Sequence, residues 1–363
     1  MYGELCGGVG AGEHQGESDD GAAIHKRLDL FTGAWVGIAP ARNTRPLDSP
    51  VQTNEPEGCP FCPGGAEVPF PYEAAVFANR FPSFRPDPPP APILDGATAP
   101  ARGRCEIVLY THRHDASFGA LSPAELARVV AIWADRSDEL WADTAHEYVF
   151  VFENRGAEVG ATIAHPHGQI YAIDDVPPLI AARDAAHRRH RGLHGSCLSC
   201  SATAAGARSS RVISASASFV AAVPFAARWP YEVAVRARRH GLGRLGDLEP
   251  AEQRDLAVAL RDVARRYDAL FGFQLPYMMV ALEAPRDQPD WHLAFELYPI
   301  HRAPEATKVR ASVETALGLF LNDVLPEDAA TQLASLDVPA EPIGLDELYV
   351  VTPAEPRRPV PAP

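Results

Sequence analysis

Residues 160–172 read GATIAHPHGQIYA. This segment carries His165, His167 and Gln169 at alternating positions, followed by an apolar run. Side chains at alternate positions of an extended chain point to the same face. Pro166 also biases the residue before it toward extended geometry. We therefore expect a strand that presents two imidazoles and one amide on a single surface.

The bulk composition limits the class of protein. The 363 residues are 46% hydrophobic, enough for roughly two or three domains or for one duplicated unit. A net charge of -14 argues against binding to a nucleic-acid backbone. No apolar run approaches the ~18–20 residues of a membrane span, and the N-terminus has no basic start or apolar core of a secretory signal. We expect a cytoplasmic protein with neither a membrane nor a nucleic acid as partner.

Composition divides the chain into four parts. Residues 1–27 are rich in glycine and predict a flexible leader, and residues 353–363 predict a proline-rich tail. Between them we expect an N-terminal half at 28–195 and a C-terminal half at 196–352. Residues 86–100 are rich in proline and predict an insertion that packs little.

Several elements of the N-terminal half can be predicted from periodicity. Residues 30–40 predict two strands joined by a turn, and further strands are expected at 73–81, 106–111 and 148–152. Ser122-Pro-Ala-Glu125 is a capping box with proline at the first helical position, which predicts the start of a helix. The apolar residues that follow at helical spacing should be core, namely Leu126, Val129, Val130 and Trp133.

The six cysteines comprise two Cys-x-x-Cys pairs, at 59/62 and 197/200, and two single residues, Cys6 and Cys105. Without a secretory signal, such pairs favour metal binding over disulfides. The pairs belong to a wider duplication, in which further features of the first half recur in the second at a nearly constant separation. The cysteine pairs are separated by slightly more, and the proline-rich insertion accounts for the difference. The other matched features are His114 with His240, the helix start at Ser122 with that at Glu249, and His165 with His292.

Each half thus carries one Cys-x-x-Cys pair and two histidines at matching separations. Paired thiolates and imidazoles are the ligands of closed, structural zinc sites. The alternative is a set of buried free thiols and core histidines. The predicted first site is Cys59, Cys62, His114 and His165, and the predicted second site is Cys197, Cys200, His240 and His292.

The two halves differ where the first has His167 and Gln169, because the second has Ala294 and Glu296 at those positions. A neutral imidazole attacks phosphorus well when its other N–H is anchored and donors await the phosphoryl oxygens. His167 is therefore the candidate nucleophile; the alternative is a structural histidine or a third zinc ligand. Gln169, the Thr162 hydroxyl and the backbone amides of 156–162 are candidate donors.

The sequence His165-Pro-His167-Gly-Gln169 resembles the active-site signature of the galactose-1-phosphate uridylyltransferases, the transferase branch of the histidine-triad superfamily. Hydrolases of that superfamily carry a third histidine where this chain has Gln169. The likeness extends over residues 30–333. It implies an α+β fold, with duplicated histidine-triad-like halves that form an antiparallel sheet flanked by helices. It also implies a homodimer whose active sites take residues from both chains.

The resemblance implies a role for particular residues. His167 would attack the α-phosphorus of UDP-glucose, form a uridylyl-histidine and pass the uridylyl group to galactose-1-phosphate in ping-pong order. Arg42 and Arg45, which spacing alone would assign to solvated surface, would contact phosphate. The other implied contacts are Asn79, Arg80 and Phe81 with uridine, Asn154, Gly160, Thr162 and Gln169 with the diphosphate, and Lys308 and Glu314 near the hexose phosphate.

The chain departs from the family in its C-terminal half. Some members hold a second metal with histidines at positions that here are Leu282, Ala294 and Glu296. The second Cys₂His₂ set instead resembles the second zinc of the ADP-glucose phosphorylase branch. An alternative function is therefore a nucleotidyltransferase or phosphorylase acting on ADP-sugars or dinucleoside polyphosphates. An alternative of another class is a non-catalytic, zinc-stabilised nucleotide-binding protein.

Overall fold

A computed structural model describes residues 24–30, 33–39 and 58–339. Its main element is a nine-stranded sheet in which neighbouring strands are antiparallel. In the order in which they lie side by side, its strands are β3 (Ala75–Ala78), β5 (Gly103–Leu109), β7 (His167–Ile173), β6 (Tyr148–Arg155), β11 (Tyr277–Leu282), β12 (Ala294–Pro299), β10 (Val233–Ala237), β9 (Phe219–Ala222) and β8 (Val212–Ala215).

Two smaller sheets, six α-helices and three short 3-10 helices complete the secondary structure of the described residues. One sheet has the order β2 (Trp35–Ile38), β1 (His25–Leu28), β4 (Thr98–Pro100), and the other pairs β13 (His301–Ala303) with β14 (Ala306–Thr307). The helices are α1 (Pro123–Ala142), α2 (Pro178–His194), α3 (Leu198–Ala207), α4 (Pro250–Phe271), α5 (Ser312–Leu317) and α6 (Pro326–Ser335). None of these helices combines the length and the apolar character needed to cross a membrane.

Helix α1 begins as the sequence predicts. The Glu125 amide donates to Ser122 Oγ at 3.3 Å, and the Ser122 amide donates to Glu125 Oε2 at 2.8 Å. These bonds satisfy backbone donors that the first helical turn leaves free. The apolar face of the helix packs into the main core, where Trp133 is fully buried.

The duplication is visible in the fold. Helices α1 and α4 begin at Pro123 and Pro250, and the separation between these prolines equals that between the first residues of β7 and β12. Strand β6 of the first half pairs with its counterpart β11 of the second, so the two halves share one sheet. The predicted α+β fold with two joined halves is confirmed.

Some predicted boundaries were wrong. Strand β1 begins at His25, inside the segment expected to be a flexible leader, because it is paired on both edges by β2 and β4. β4 is the end of the proline-rich insertion, although Ile93 within that insertion is fully exposed. Strand β6 continues to Arg155 rather than ending at Phe152, because pairing with β11 extends it. The division into halves at 28–195 and 196–352 and a tail at 353–363 stays a prediction.

Candidate active site and metal-ligand clusters

Strand β7 positions the candidate catalytic residues. Ile170 and Ala172 are fully buried against the core, while His167, Gln169 and Tyr171 are half-buried on the opposite face. This alternation confirms the period-two prediction for His167 and Gln169. His165 precedes the strand and is fully buried, and the Phe61 ring lies edge-on to both His165 and His167.

The state of His167 follows from one hydrogen bond. Its Nδ1 lies 2.8 Å from the backbone carbonyl oxygen of His165. A carbonyl only accepts, so Nδ1 carries the proton and Nε2 carries the lone pair. Burial also lowers the pKa of His167 below its ordinary value, which favours the neutral imidazole. His167 is thus held as a neutral imidazole with its ring fixed and the Nε2 lone pair unprotonated.

His167 lines a cavity of about 610 Å³. The same cavity is lined by four other predicted site residues, Asn154, Gly160, Thr162 and Gln169. It is also lined by Phe84 and Tyr171, which sequence reasoning missed. Tyr171 could have been found, because it lies one strand period beyond Gln169; Phe84 carries no such signal.

A second cavity, of about 630 Å³, lies beside the first and shares Ala39 and Phe84 with it. The predicted uridine residues Asn79, Arg80 and Phe81 line this second cavity. Asn79 links the two, because its Nδ2 donates to Gln169 Oε1 at 3.4 Å while its own Oδ1 accepts from the Phe81 amide at 2.8 Å. The two cavities together are large enough for a ligand with two chemically different parts.

The first predicted ligand set, Cys59, Cys62, His114 and His165, is assembled, with all four ligand atoms within 4.8 Å of one another. Cys62 Sγ lies 3.4 Å from His114 Nδ1 and 3.6 Å from His165 Nδ1. Tetrahedral zinc with ordinary bond lengths separates sulfur from nitrogen by about 3.6 Å. The other nitrogen of His165, Nε2, donates to the Thr111 carbonyl at 2.8 Å, the support that metal-bound histidines commonly have. The donor set and its geometry fit zinc.

The second predicted set, Cys197, Cys200, His240 and His292, is assembled with the same 4.8 Å limit. Cys197 caps α3, and its Sγ accepts from the Cys200 amide at 3.3 Å. Cys200 Sγ lies 3.5 Å from His240 Nδ1 and 3.3 Å from His292 Nε2, while His292 Nδ1 donates to the Ala237 carbonyl. The side chain of His240 is 55% exposed, so this cluster is more open than the first. It also fits zinc.

The predicted hexose-phosphate residues lie elsewhere in this chain. Lys308 Nζ and Glu314 Oε1 form a buried ion pair at 2.5 Å, and neither residue lines the cavity of His167. Arg42 and Arg45 lie outside the described residues. Within one chain, the structure therefore does not bring the hexose-phosphate pair to His167.

In the C-terminal half, the position that matches Gln169 is occupied by Glu296, which lies among arginine side chains. Glu296 is buried, and Arg183 pairs with both of its oxygens, at 2.9 and 2.7 Å. Arg228 and Arg236 lie 3.4 and 3.3 Å away, and Tyr298 donates its hydroxyl. Burial alone would raise the pKa of Glu296, but the Arg183 guanidinium outweighs it and lowers the pKa to about 2. The guanidinium groups of these arginines supply the positive charge that balances the buried carboxylate.

Comparison with known proteins assigns the chain to a family. Residues 14–177 match a family model described as the N-terminal domain of galactose-1-phosphate uridyl transferase, and residues 185–341 match the C-terminal domain. A galactose-1-phosphate uridylyltransferase of Thermotoga maritima is 36% identical over 319 residues, covering 86% of this chain and 98% of the relative.

Solved structures agree with this assignment. A uridylyltransferase structure superposes with a TM-score of 0.76 at 32% identity, covering 86% of this chain and 97% of that one. An ADP-glucose phosphorylase from Arabidopsis thaliana with bound ADP-glucose has a TM-score of 0.66 at 23% identity, covering 86% and 99%, a likeness of fold alone. The chain belongs to the galactose-1-phosphate uridylyltransferase family, a family of nucleotidyltransferases.

Proposed function

We propose that the protein transfers a uridylyl group between UDP-glucose and galactose-1-phosphate through a covalent uridylyl-histidine on His167. The observation that carries this proposal is the single hydrogen bond from His167 Nδ1 to the His165 carbonyl, in a cavity that Gln169 also lines. It leaves Nε2 as the nucleophile and fixes the ring for attack.

The reaction follows ping-pong order. Nε2 of His167 attacks the α-phosphorus of UDP-glucose, and the bond to the oxygen bridging the β-phosphorus breaks. Glucose-1-phosphate leaves with the bonding electrons, and the positive charge on the imidazole is stabilised by the Nδ1–H bond to the His165 carbonyl. A phosphate oxygen of galactose-1-phosphate then attacks the same phosphorus, which forms UDP-galactose and restores neutral His167.

An amide at position 169 suits this chemistry. The leaving group is a phosphate monoester with a second pKa of about 6, so it departs at neutral pH without a general acid. Gln169 can donate its N–H to a phosphoryl oxygen while Asn79 donates to its Oε1. Asn154, Gly160 and Thr162 line the same cavity and would contact the diphosphate. Asn79, Arg80 and Phe81 would contact uridine in the neighbouring cavity, and Arg42 and Arg45 would contact phosphate.

We infer that both Cys₂His₂ clusters bind zinc, in closed sites of structural character. In the first cluster His165 would hold zinc through Nδ1, and its backbone carbonyl orients His167. A metal bound there would fix the segment that presents His167.

We also propose that the active enzyme is a cytoplasmic homodimer. Lys308 and Glu314, which lie apart from His167 in this chain, would serve the partner's site. The segment around them supports an interface, because Val309 and Leu317 are each 75% exposed and further apolar side chains follow. Those side chains are Leu319, Leu321 and Leu325.

The test is to incubate the protein with UDP-glucose, remove the ligand and weigh the intact chain. We expect the mass of one uridylyl group, and exchange of radiolabelled glucose-1-phosphate into UDP-glucose. His167→Ala should lose both while keeping its fold and zinc, which excludes a protein that only binds nucleotide. A wild type without exchange would refute the transferase.

ADP-glucose serves as the parallel substrate for the rival function. An adenylyl adduct formed in preference to a uridylyl adduct would assign the chain to ADP-sugars or dinucleoside polyphosphates. The second Cys₂His₂ cluster is the observation that favours this alternative function.

A further inference from the structure

Lys26 of β1 is a lysine buried to 4% exposure. Its Nζ lies 2.8 Å from Asp174 Oδ1 and also pairs with Asp175. It lies 5.6 Å from the centre of the Trp35 ring, on β2. Burial alone lowers the pKa of Lys26, but its hydrogen bonds to Asp174 and Asp175 outweigh burial and raise it, so the side chain is charged.

These contacts join two parts of the fold that are distant in sequence. Asp174 and Asp175 directly follow Ile173, the last residue of β7, and β7 carries His167 and Gln169. Lys26 lies at the centre of the small sheet, where β1 pairs with β2 on one side and β4 on the other. The lysine therefore fastens the small sheet to the far end of the catalytic strand.

The small sheet forms part of both cavities. Gly37 of β2 and Ala39 directly after it line the cavity of His167. Ile24, directly before β1, and Ala39 line the neighbouring cavity. Their position relative to His167 depends on how the small sheet is docked. A wall made by a three-stranded sheet is also a part of the molecule that can loosen without unfolding the nine-stranded sheet.

We propose that Lys26 is a positioning residue for the nucleotide: its ion pairs with Asp174 and Asp175 hold the small sheet as the wall of the nucleotide site. This inference rests on the proposed function only for its substrate, UDP-glucose. Lys26 touches neither His167 nor Gln169 in any described contact, and it acts through the backbone of β1 and β2.

The proposal separates binding from chemistry. His167 and Gln169 belong to the central sheet, so their relation to each other does not depend on Lys26. The wall would contact the ligand equally in the ground state and in the transition state. Loss of such contacts raises KM and leaves kcat unchanged. Without Lys26, Asp174 and Asp175 would face the small sheet with no cation between them. Two unpaired carboxylates favour water over an apolar contact, so the docking of the small sheet should weaken.

Lys26→Met removes the charge and keeps the length of the side chain. We expect the KM for UDP-glucose to rise at least about tenfold with kcat changed less than about threefold. Lys26→Arg keeps the charge and should recover part of the affinity. Adding Asp174→Asn and Asp175→Asn to Lys26→Met should recover part as well, because the unpaired acids are then gone. Arg188→Met is the matched control, since Arg188 pairs with Asp184 on α2 with a 58% exposed side chain, and its KM should not change.

Amide hydrogen exchange gives a readout that needs no turnover. In Lys26→Met, exchange should accelerate in Trp35–Ile38 and stay unchanged in His167–Ile173. An unchanged KM, or a kcat that falls as much as kcat/KM, would overturn the proposal, and so would equal exchange in both strands. If wild type transfers no uridylyl group, the proposed function fails, and the exchange data still decide whether Lys26 fastens the wall.

Discussion

The hydroxyl of Tyr110 packs directly against Gly168: a Cβ built on residue 168 would lie 2.2 Å from Tyr110 Oη. Tyr110 is fully buried and meets the rings of Phe118 and Trp133 edge-on, so it cannot move aside. The residue between His167 and Gln169 therefore has to be glycine. The side chain of Tyr110 thus fixes how closely the backbone of β7 approaches the main core.

We predict that Gly168→Ala destabilises the fold by about 1–3 kcal/mol, the scale of overpacking a core. It should also slow uridylyl transfer at least about tenfold, because a shift of β7 displaces His167 and Gln169 together. Thermal unfolding and the exchange assay measure the two effects. Gly192→Ala, on α2 with no atom within 4 Å of the new Cβ, is the control and should be neutral or slightly stabilising. Combining Gly168→Ala with Tyr110→Phe should restore part of the loss, and no restoration would speak against this contact.

The two metal clusters should differ in their effect on activity. Cys62→Ser and Cys200→Ser should each lower the zinc content from about two to about one per chain. Only Cys62→Ser should slow transfer severely, by about 100-fold or more, because His165 of the first cluster orients His167 through its carbonyl. Elemental analysis and exchange rates at a temperature where both variants remain folded make the comparison. Equal loss of activity in the two variants would contradict it.

Glu296 should be important for stability and not for chemistry. Glu296→Gln leaves Arg183 and Arg236 without their carboxylate partner and Arg228 with only Glu232, at 3.8 Å, and we expect a loss of about 3–5 kcal/mol in urea unfolding. Asp323→Asn breaks the exposed ion pair with Arg302 and should cost less than about 1 kcal/mol. A stable Glu296→Gln protein would show that the arginines do not need this acid.

The pH dependence of stability should reveal Glu283. Burial raises the pKa of Glu283 to about 7, although its Oε2 accepts a hydrogen bond from Ser137 at 2.6 Å. Because the pKa of Glu283 is higher in the folded than in the unfolded protein, its contribution to the free energy of unfolding is fully present below the unfolded pKa of about 4.3. That contribution is lost as the pH rises from there to the folded pKa of about 7. Glu283→Gln should remove up to about 1.4 kcal/mol per pH unit from the slope in that window. Urea unfolding between pH 5 and 8 measures it, and an unchanged slope would count against a protonated Glu283.

The sequence predicted the site where the relevant signal was local or repeated. Period-two alternation indicated the common face of His167 and Gln169, and the duplication of the chain indicated both ligand sets, including the exposed His240. Each ligand is marked by a copy in the other half. The proposed role of His167 rests on the lack of such a copy.

What the sequence did not reveal depends on contacts between distant residues. Lys26 and Asp174 are 148 residues apart, and neither has a pattern that announces a buried pair. Arg183 lies on α2, whose sequence is polar and basic, and only the fold shows that it pairs with Glu296, 113 residues away. Phe84 follows no strand or helix period, so its place between the two cavities was not predictable.

The junction of the two halves has a symmetry of its own. Phe152 pairs with Val280 and Glu153 pairs with Met279. In the alignment that matches His167 with Ala294, Phe152 corresponds to Met279 and Glu153 to Val280, so each of the two residues pairs with the counterpart of the other. This reciprocal pairing is that of a two-fold axis, which here runs between β6 and β11. The single chain has the form of a symmetric dimer whose two copies are covalently joined.

In a true homodimer every substitution appears in both copies, so neither catalytic face can change without the other. Joining the copies in one gene removes that restriction. One half can keep a nucleophile while the other exchanges it for Ala294 and builds an arginine-bound carboxylate beside it. The pairing of β6 with β11 thus joins a half that carries His167 to a half that carries the arginine-bound Glu296, and the two can differ although their backbones are related by symmetry.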